Sequence, residues 1–149
     1  MDLPKEDFKF GFTLRVRWGE CDAQGIVFNA QYMNYVEVAQ AEYFRNLGLR
    51  LYGDELRKRF DLATVRSTFE FMTPVRVDDL LDIHVSVTRI GNSSITFLTE
   101  VYPHETDQPC TRAEVIYANF DADTEVARRV PDDIREIIGT FERSDRSPD

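Results

Sequence analysis

Residues 18–48, WGECDAQGIVFNAQYMNYVEVAQAEYFRNLG, hold the turn and the long helix around which the rest of the chain is arranged. Apolar and aromatic side chains recur at spacings of three and four along residues 32–47. This spacing predicts an amphipathic helix that starts near Asn29 or Ala30. Asn29 is an N-cap candidate, and Gly48 stands where a left-handed residue ends a helix. About 18 residues give a helix of roughly 27 Å, which strands of about eight or nine residues can cover from end to end.

The sequence on either side of this helix alternates between apolar and polar residues, as half-buried strands do. One strand precedes the helix and four follow it, separated by turn-forming residues. The predicted strands are residues 8–18, 63–75, 81–88, 95–102 and 110–120. Residues 49–61 form a polar connection that can hold a short helix. Pro131 opens a second short helix over residues 132–141, and residues 142–149 are expected to be a disordered tail.

This order of elements predicts an α+β fold. Consecutive strands joined by short turns pair antiparallel, so the five strands form one antiparallel sheet that wraps around the long central helix, followed by a short C-terminal helix. A chain of 149 residues suits a single domain, residues 1–149.

Composition and charge exclude several classes of function. The net charge of −9 argues against nucleic acid or an anionic membrane as the main partner, since both require a basic surface. Apolar runs stay below the ~18–20 residues that span a bilayer, and the first ten residues lack a signal-peptide core. Two distant cysteines, Cys21 and Cys110, provide neither a disulfide framework nor a metal site. We therefore expect a soluble cytoplasmic protein without a cofactor or metal.

The polar turn before the helix is the strongest candidate for chemistry. Asp22 lies where a helix N-terminus, with its unpaired N–H groups and positive dipole end, favours negative charge. A carboxylate beside an oxyanion donor is the minimal equipment for cleaving an acyl bond. Alternatively, Asp22 is a turn residue that bonds its own backbone, and Asn29 is an N-cap. Glu20 is either solvated or supports Asp22 by fixing the turn.

Residues 15–37, RVRWGECDAQGIVFNAQYMNYVE, resemble the opening of the 4-hydroxybenzoyl-CoA thioesterase-like proteins of the hot-dog fold. The acidic turn, the Asp-x-x-Gly-hydrophobic-Val-aromatic run and the helical tyrosine coincide, and the element order agrees over roughly residues 10–142. The resemblance implies an acyl-CoA thioesterase that releases free acid and CoA. Asp22 matches the catalytic acid, as nucleophile or general base, and the backbone N–H near Asn29 matches the donor that polarises the thioester carbonyl.

The resemblance also implies partners and a substrate site. Family members are homodimers or homotetramers with acyl-CoA across a subunit interface. The implied substrate-binding residues are Gly25, Val27, Phe28, Tyr32, Met33, Phe69 and Arg89, and the expected acyl tunnel runs near Met33, Val36, Phe69 and Phe71. Candidates for the CoA phosphates are Arg15, Arg17, Arg66, Arg76, Arg89 and Arg112, because arginine binds phosphate oxygens bidentately.

The sequence departs from the family pattern at two places, and both bear on which residues are expected to act in the site. Many relatives carry His, and others Tyr, at the position of Asn29, so the side chain there has a different role or none. Residues 91–94 replace a basic turn with Gly-Asn-Ser-Ser, which leaves only Arg89 nearby. A hot-dog dehydratase needs a histidine near the helix start, and Asn29 argues against it. A non-catalytic acyl-CoA or acyl-carrier binding protein is the alternative from a different class.

Three further side chains are expected to stay outside the chemistry. Glu37, on the helix, is predicted to be solvated or to act behind the reacting groups. His84 and His104 are predicted surface residues, since two isolated histidines without cysteine or aspartate spacing give no metal site.

Overall fold

A computed structural model describes residues 3–144. Within that range the strands are β1 (Phe10–Arg15), β2 (Leu62–Phe71), β3 (Leu80–Ile90), β4 (Ser94–Pro103), β5 (Thr111–Asp121) and β6 (Val126–Ala127). The helices are α1 (Gln31–Asn46), α2 (Asp54–Arg57) and α3 (Asp132–Ser144).

The strands form one antiparallel sheet in the order β1-β3-β4-β5-β2, and the two-residue β6 pairs with the end of β5. The predicted α+β class is confirmed: a curled antiparallel sheet holds one long helix, and a short helix follows. The two-residue β6 was not predicted. In this order β2 pairs only with β5, so one of its edges is free of any described strand.

The core is the contact between the apolar stripe of α1 and the inner face of the sheet. Tyr32, Val36, Ala39 and Tyr43 on α1 are buried, as the predicted spacing requires. The ring of Tyr43 meets four other rings edge-on, with centroids 5.6–5.9 Å apart. Edge-on pairs add to the free energy that burial of aromatic area contributes, so this end of α1 is held firmly against the sheet.

The two ends of α1 differ from each other in how they are closed. At the C-terminal end Gly48 has φ +78°, and the N–H groups of Gly48 and Leu49 donate to the carbonyls of Arg45 and Phe44, which confirms the predicted stop. At the N-terminal end the cap position is Ala30, without a side-chain cap hydrogen bond. The N-cap alternative for Asn29 is therefore wrong.

The first strand also ends at a different residue from the predicted one. It stops at Arg15 rather than residue 18, because Arg17 and Glu20 bond to each other and bend residues 18–20 into a 3-10 turn. β2 ends at Phe71, ahead of Pro74, which lacks the N–H that a ladder needs.

The last predicted boundary is wrong by three residues, since α3 continues to Ser144 where a tail was expected from residue 142. The tail prediction for residues 145–149 falls outside the described residues. No helix formed by residues 3–144 has the length and apolar composition that crossing a bilayer requires.

Candidate active site

The acidic turn is a tight four-residue bend that starts at Asp22. The Gly25 N–H donates to the Asp22 carbonyl at 2.9 Å, and Gly25 has φ +80°, which favours glycine there. The Asp22 N–H donates to the Ile26 carbonyl at 2.9 Å, and the Gln24 N–H donates to Asp22 Oδ1 at 2.8 Å. The carboxylate is exposed, and one of its oxygens is engaged within the turn.

Glu20 lies behind this turn and is only 6% exposed, so the solvated alternative for Glu20 is wrong. Its carboxylate accepts hydrogen bonds from the Arg17 N–H and Nε, both at 2.8 Å, and from the Tyr35 hydroxyl at 2.8 Å. Burial alone would raise the pKa of Glu20, but these bonds and the Arg17 charge outweigh it and leave the pKa below its ordinary value. Glu20 thus links the turn to α1 through Tyr35.

The start of α1 leaves two backbone donors unpaired. The Phe28 N–H donates to the Glu20 carbonyl and the Gln31 N–H donates to the Phe28 carbonyl. The N–H groups of Asn29 and Ala30, between them, donate to none of the described residues. The first turn of α1 carries no acidic side chain, so no carboxylate on that turn competes for the positive end of the helix dipole.

A cavity of about 270 Å³ opens beside these donors, and we call it the helix-start cavity. Four of its lining residues belong to the expected site or tunnel: Val27, Asn29, Tyr32 and Phe71. Tyr32 is buried, and its ring lies 5.5 Å from that of Phe71. Burial raises the pKa of Tyr32 to about 12, against a smaller lowering by Thr111, so the phenol stays protonated at neutral pH.

The other four lining residues were missed by the sequence interpretation: Ile26, Met72, Thr73 and Pro74. The last three follow β2, where Pro74 marked the end of a strand. A strand that ends opposite a helix start brings its next residues over that helix, and this was the available signal. Ile26 was not identified as a lining residue because the motif describes its position only as hydrophobic.

Several expected site residues lie close to the helix-start cavity without lining it. The Asp22 main chain pairs with Ile26 in its wall, but Asp22 itself is exposed and does not line the cavity. Gly25 and Phe28 belong to the same loop and are exposed. Further along, Met33 Sδ lies 4.0 Å from Ser67 Oγ, and the ring of Phe69 stacks on Phe71 with centroids 5.9 Å apart.

Arg89 is an expected site residue that lies far from the helix-start cavity. Nine residues of β3 separate Arg89 from Leu80, a distance of roughly 30 Å. The Leu80 end of β3 adjoins the acidic turn, since Val16 N–H donates to the Asp79 carbonyl. Arg89 therefore lies at the opposite end of β3, and a single copy of the chain does not bring it to this cavity.

The remaining candidate arginines fall into two groups. Arg15, Arg17 and Arg112 are engaged, with the carbonyl of Asp78 and the carboxylates of Glu20 and Glu100. The side chains of Arg66, Arg76 and Arg89 bond to none of the described residues. Arg76 pairs through its backbone with Ile26 in the cavity wall, so it is the unpaired arginine beside the cavity.

The two histidines lie away from this site. His104 is exposed, with Nδ1 2.9 Å from an Asp82 oxygen. His84 is half-buried between the rings of Phe8 and Tyr102, so the prediction of a surface residue is wrong for His84. Among residues 3–144, no three His, Cys, Asp or Glu side chains gather in a way that could hold a metal ion.

Comparison of the sequence with known proteins identifies relatives over nearly the whole chain. The model of the thioesterase-like superfamily matches residues 16–138. The acyl-CoA thioester hydrolase YbgC of Escherichia coli O6:H1 is 26% identical over 134 residues, 90% of this chain and 96% of that protein. The acyl-CoA thioesterase YbgC of Haemophilus influenzae is 31% identical over 93 residues, 61% of this chain and 67% of that protein.

Solved structures share the arrangement of sheet and helix. A 1,4-dihydroxy-2-naphthoyl-CoA thioesterase from Synechocystis superposes with a TM-score of 0.79 at 18% identity, over 93% of this chain and 98% of that chain. A thioesterase from Thermus thermophilus, solved with coenzyme A and zinc, gives 0.77 at 23% identity, over 92% and 96%. Together with the family model, which spans most of the sequence, these likenesses show that the chain belongs to the thioesterase-like superfamily and has the hot-dog fold.

Proposed function

We propose that this protein hydrolyses acyl-CoA thioesters to a free acid and CoA. The observation that carries the proposal is the pair of unpaired N–H groups, at Asn29 and Ala30, that begin α1 beside an apolar cavity. A thioester carbonyl at that position gains negative charge during attack, and backbone N–H groups at a helix start stabilise such charge. The names of the YbgC relatives support the same reaction.

Asp22 is the proposed reacting acid, as general base toward water or as nucleophile. As base it removes a proton from the water that attacks the carbonyl carbon, and the C–S bond then breaks with the thiolate leaving. As nucleophile it attacks the carbonyl carbon and the C–S bond breaks with the thiolate leaving, which gives a mixed anhydride. Water then hydrolyses the anhydride to the free acid and restores the Asp22 carboxylate. A thiolate is a good leaving group, so neither route requires a separate general acid. The main-chain pairing of Asp22 with Ile26 supports its closeness to the cavity.

A second copy of the chain completes the proposed site. Near the start of α1 the side chains of Trp18, Phe28, Phe71 and Met72 are all exposed, and β2 has a free edge. Exposed aromatic and apolar side chains beside a free strand edge are typical of an interface between subunits. A homodimer or homotetramer built there would enclose Asp22 and could bring Arg89 of one copy toward the helix start of the other.

One observation favours a different function, that of a non-catalytic acyl-CoA binding protein. The Asp22 carboxylate is exposed, and its Oδ1 is used by the Gln24 N–H, as in an ordinary turn. A binding protein needs the cavity and the helix start but no reacting acid.

Replacing Asp22 by asparagine separates the two functions. Asparagine keeps the oxygen that accepts the Gln24 N–H, so the turn is preserved while the base and nucleophile are lost. We expect kcat for decanoyl-CoA to fall by about a hundredfold or more in Asp22→Asn. The affinity for the thioether S-decyl-CoA, which cannot be hydrolysed, should stay unchanged in calorimetry.

Asp107→Asn is the matched control, because Asp107 is fully exposed in the connection between β4 and β5. It should retain the activity of the unmodified protein. Turnover in Asp22→Asn equal to that of Asp107→Asn would refute the role of Asp22. A protein that binds S-decyl-CoA but turns over no acyl-CoA would be the binding protein instead.

A further inference from the structure

A second cavity, of about 130 Å³, lies further along α1, between this helix and the neighbouring strands β2 and β5. We call it the distal cavity. Four of its lining residues carry polar groups that matter here: Glu37 and Gln40 on α1, Thr64 on β2 and Tyr117 on β5. Its volume is close to that of an engineered cavity of about 150 Å³ that takes up benzene, so it holds the end of a substrate rather than a whole one.

The side chain of Gln40 is the unusual member of this set. It is 6% exposed, its Nε2 is shut off from solvent, and its amide makes no hydrogen bond with any described residue. A buried amide without a partner is unfavourable, and buried polar groups in folded proteins are nearly always paired. The Gln40 amide therefore offers hydrogen-bonding capacity that the folded chain itself does not use.

Glu37 supplies the opposite capacity in the same cavity. The Tyr117 hydroxyl donates to Glu37 Oε2 at 3.1 Å, and Glu37 Oε1 makes no hydrogen bond with the described residues. Burial, together with the Glu37 charge, raises the pKa of Tyr117, so its phenol remains a donor. The distal cavity thus presents an amide N–H and a carboxylate oxygen. A hydroxyl group accepts from the first and donates to the second.

The polar groups of the distal cavity lie on the same side of α1 as Met33, the residue after Tyr32 of the helix-start cavity. Met33, Glu37 and Gln40 follow each other at spacings of four and three, which places them on one side of the helix. Strand β2 runs past this side in the opposite direction, with Phe71 beside Tyr32.

Between the cavities α1 and β2 contact each other at Met33 and Ser67, whose Sδ and Oγ are 4.0 Å apart. Glu37, Thr64 and Ser67 are exposed, so the surface between α1 and β2 is open to solvent along this line. We call this exposed strip the groove. Gln40 lies nine positions beyond Gln31 along α1, a rise of roughly 13.5 Å, so an acyl chain of medium length spans this groove.

We propose that the groove between α1 and β2 binds an acyl tail whose far end carries a hydroxyl group, which the Gln40 amide and the Glu37 carboxylate recognise. This inference rests on the proposed thioesterase function and names its substrate class. A plain alkyl end leaves the amide unpaired, and an end that carries a carboxylate meets the negative charge of Glu37. The hydroxylated tail is therefore the preferred one.

The test compares kcat/KM for ω-hydroxydecanoyl-CoA with that for decanoyl-CoA. We expect the unmodified protein to favour the hydroxylated substrate by about tenfold, the size of one or two hydrogen bonds. Gln40→Met has an unbranched side chain of closely similar length but no amide, and should bring the ratio to about one or below. Gln108→Met, in the exposed connection between β4 and β5, should keep the original ratio. Gln40→Leu repeats the measurement if the Met variant folds poorly.

A ratio of one or less in the unmodified protein, or an unchanged ratio in Gln40→Met, overturns the inference. Affinities for S-decyl-CoA and S-(ω-hydroxydecyl)-CoA, which are thioethers, give the same comparison without turnover. If no acyl-CoA is hydrolysed, the proposed thioesterase function fails, while the ratio of these two affinities still decides for or against the hydroxyl site.

Discussion

The carboxylate of Glu20 joins three parts of the site. It accepts hydrogen bonds from Arg17, two residues after the end of β1, and from Tyr35 inside α1. The backbone carbonyl of Glu20 accepts the Phe28 N–H ahead of the helix. Because these partners come from different elements, the position of the acidic turn relative to the helix start depends on one buried side chain. Asp22 can act on a thioester at the helix start only if that relative position is held.

Replacing Glu20 by glutamine should lower stability in a pH-dependent way. The amide NH2 of glutamine faces the Arg17 guanidinium without an acceptor, and we expect a loss of about 1–3 kcal/mol in the free energy of unfolding at neutral pH. The folded-state pKa of Glu20 lies below the ordinary 4.5, so its contribution is complete above that pH and is lost as the pH falls through the lowered pKa. Urea unfolding of Glu20→Gln and of the unmodified protein should therefore converge in acid.

The exposed Glu136 on α3 provides the comparison. Glu136→Gln should follow the unmodified protein at every pH, within about 0.5 kcal/mol. A Glu20→Gln variant as stable as Glu136→Gln at neutral pH would show that the Arg17 and Tyr35 contacts contribute nothing net.

The positions of residues in a local motif can be predicted from the sequence more readily than the burial of residues whose contacts are distant in the chain. Asp22 and Asn29 stand seven residues apart in one short motif, so their closeness to the helix start was predictable. Glu20 and Gln40 are polar residue types, for which the sequence alone predicts exposure. Their burial depends on Tyr35 and on strands that are distant in the chain, which no local pattern encodes.

At the scale of elements, periodicity located every long strand and helix but not where each one ends. Alternation continues through Trp18, yet the Arg17–Glu20 pair bends the chain after Arg15. Side-chain hydrogen bonds of this kind compete with the strand ladder and are not visible in an apolar pattern. Gly48 was predictable as the end of α1 because a left-handed residue there requires little more than the absence of a Cβ.

Helix α3 is attached to the sheet through Glu142, one residue past its predicted end. Glu142 accepts hydrogen bonds from the Tyr43 hydroxyl at 2.5 Å, from the Ser86 hydroxyl at 2.9 Å and from the Val87 N–H at 2.9 Å. One carboxylate thus satisfies a donor on the buried helix and two on β3. The last turn of α3 persists because these bonds offset the entropy of ordering it.

Removing this carboxylate should destabilise the whole domain rather than α3 alone. In Glu142→Ala the buried Tyr43 hydroxyl and the Val87 N–H lose their partner, and we expect a loss of about 2–3 kcal/mol in the free energy of unfolding. Chemical denaturation monitored by circular dichroism measures it. Glu136→Ala, an exposed change in the same helix, should cost far less. Equal losses in the two variants would mean that helix propensity, and not the Glu142 contacts, sets the effect.

At the scale of the whole molecule, the negative net charge of the chain opposes the binding of an anionic ligand. The chain carries a net charge of −9, whereas the phosphates of CoA are anionic, so binding depends on local arginines and should weaken as salt rises. Arg76 lies beside the cavity, and Arg89 is roughly 30 Å away along β3. In the proposed assembly, pairing of two copies along their β2 edges would shorten that separation, and the free edge would then have a role in the activity as well as in assembly.

Trp18 offers a direct test of that assembly. Its side chain is 84% exposed, so replacing it removes few contacts within one chain and any large effect must come from contacts between copies. We expect Trp18→Lys to weaken self-association by about tenfold or more, as the loss of a buried interface tryptophan does, and to lower kcat/KM in step with the monomer fraction. Sedimentation velocity over a range of concentrations measures the self-association.

Val126→Lys, at an exposed position on β6, is the control and should leave both the self-association and kcat/KM unchanged. If Trp18→Lys sediments like Val126→Lys, copies do not meet at this end of the molecule, and Asp22 would have to act from the exposed surface of a single chain.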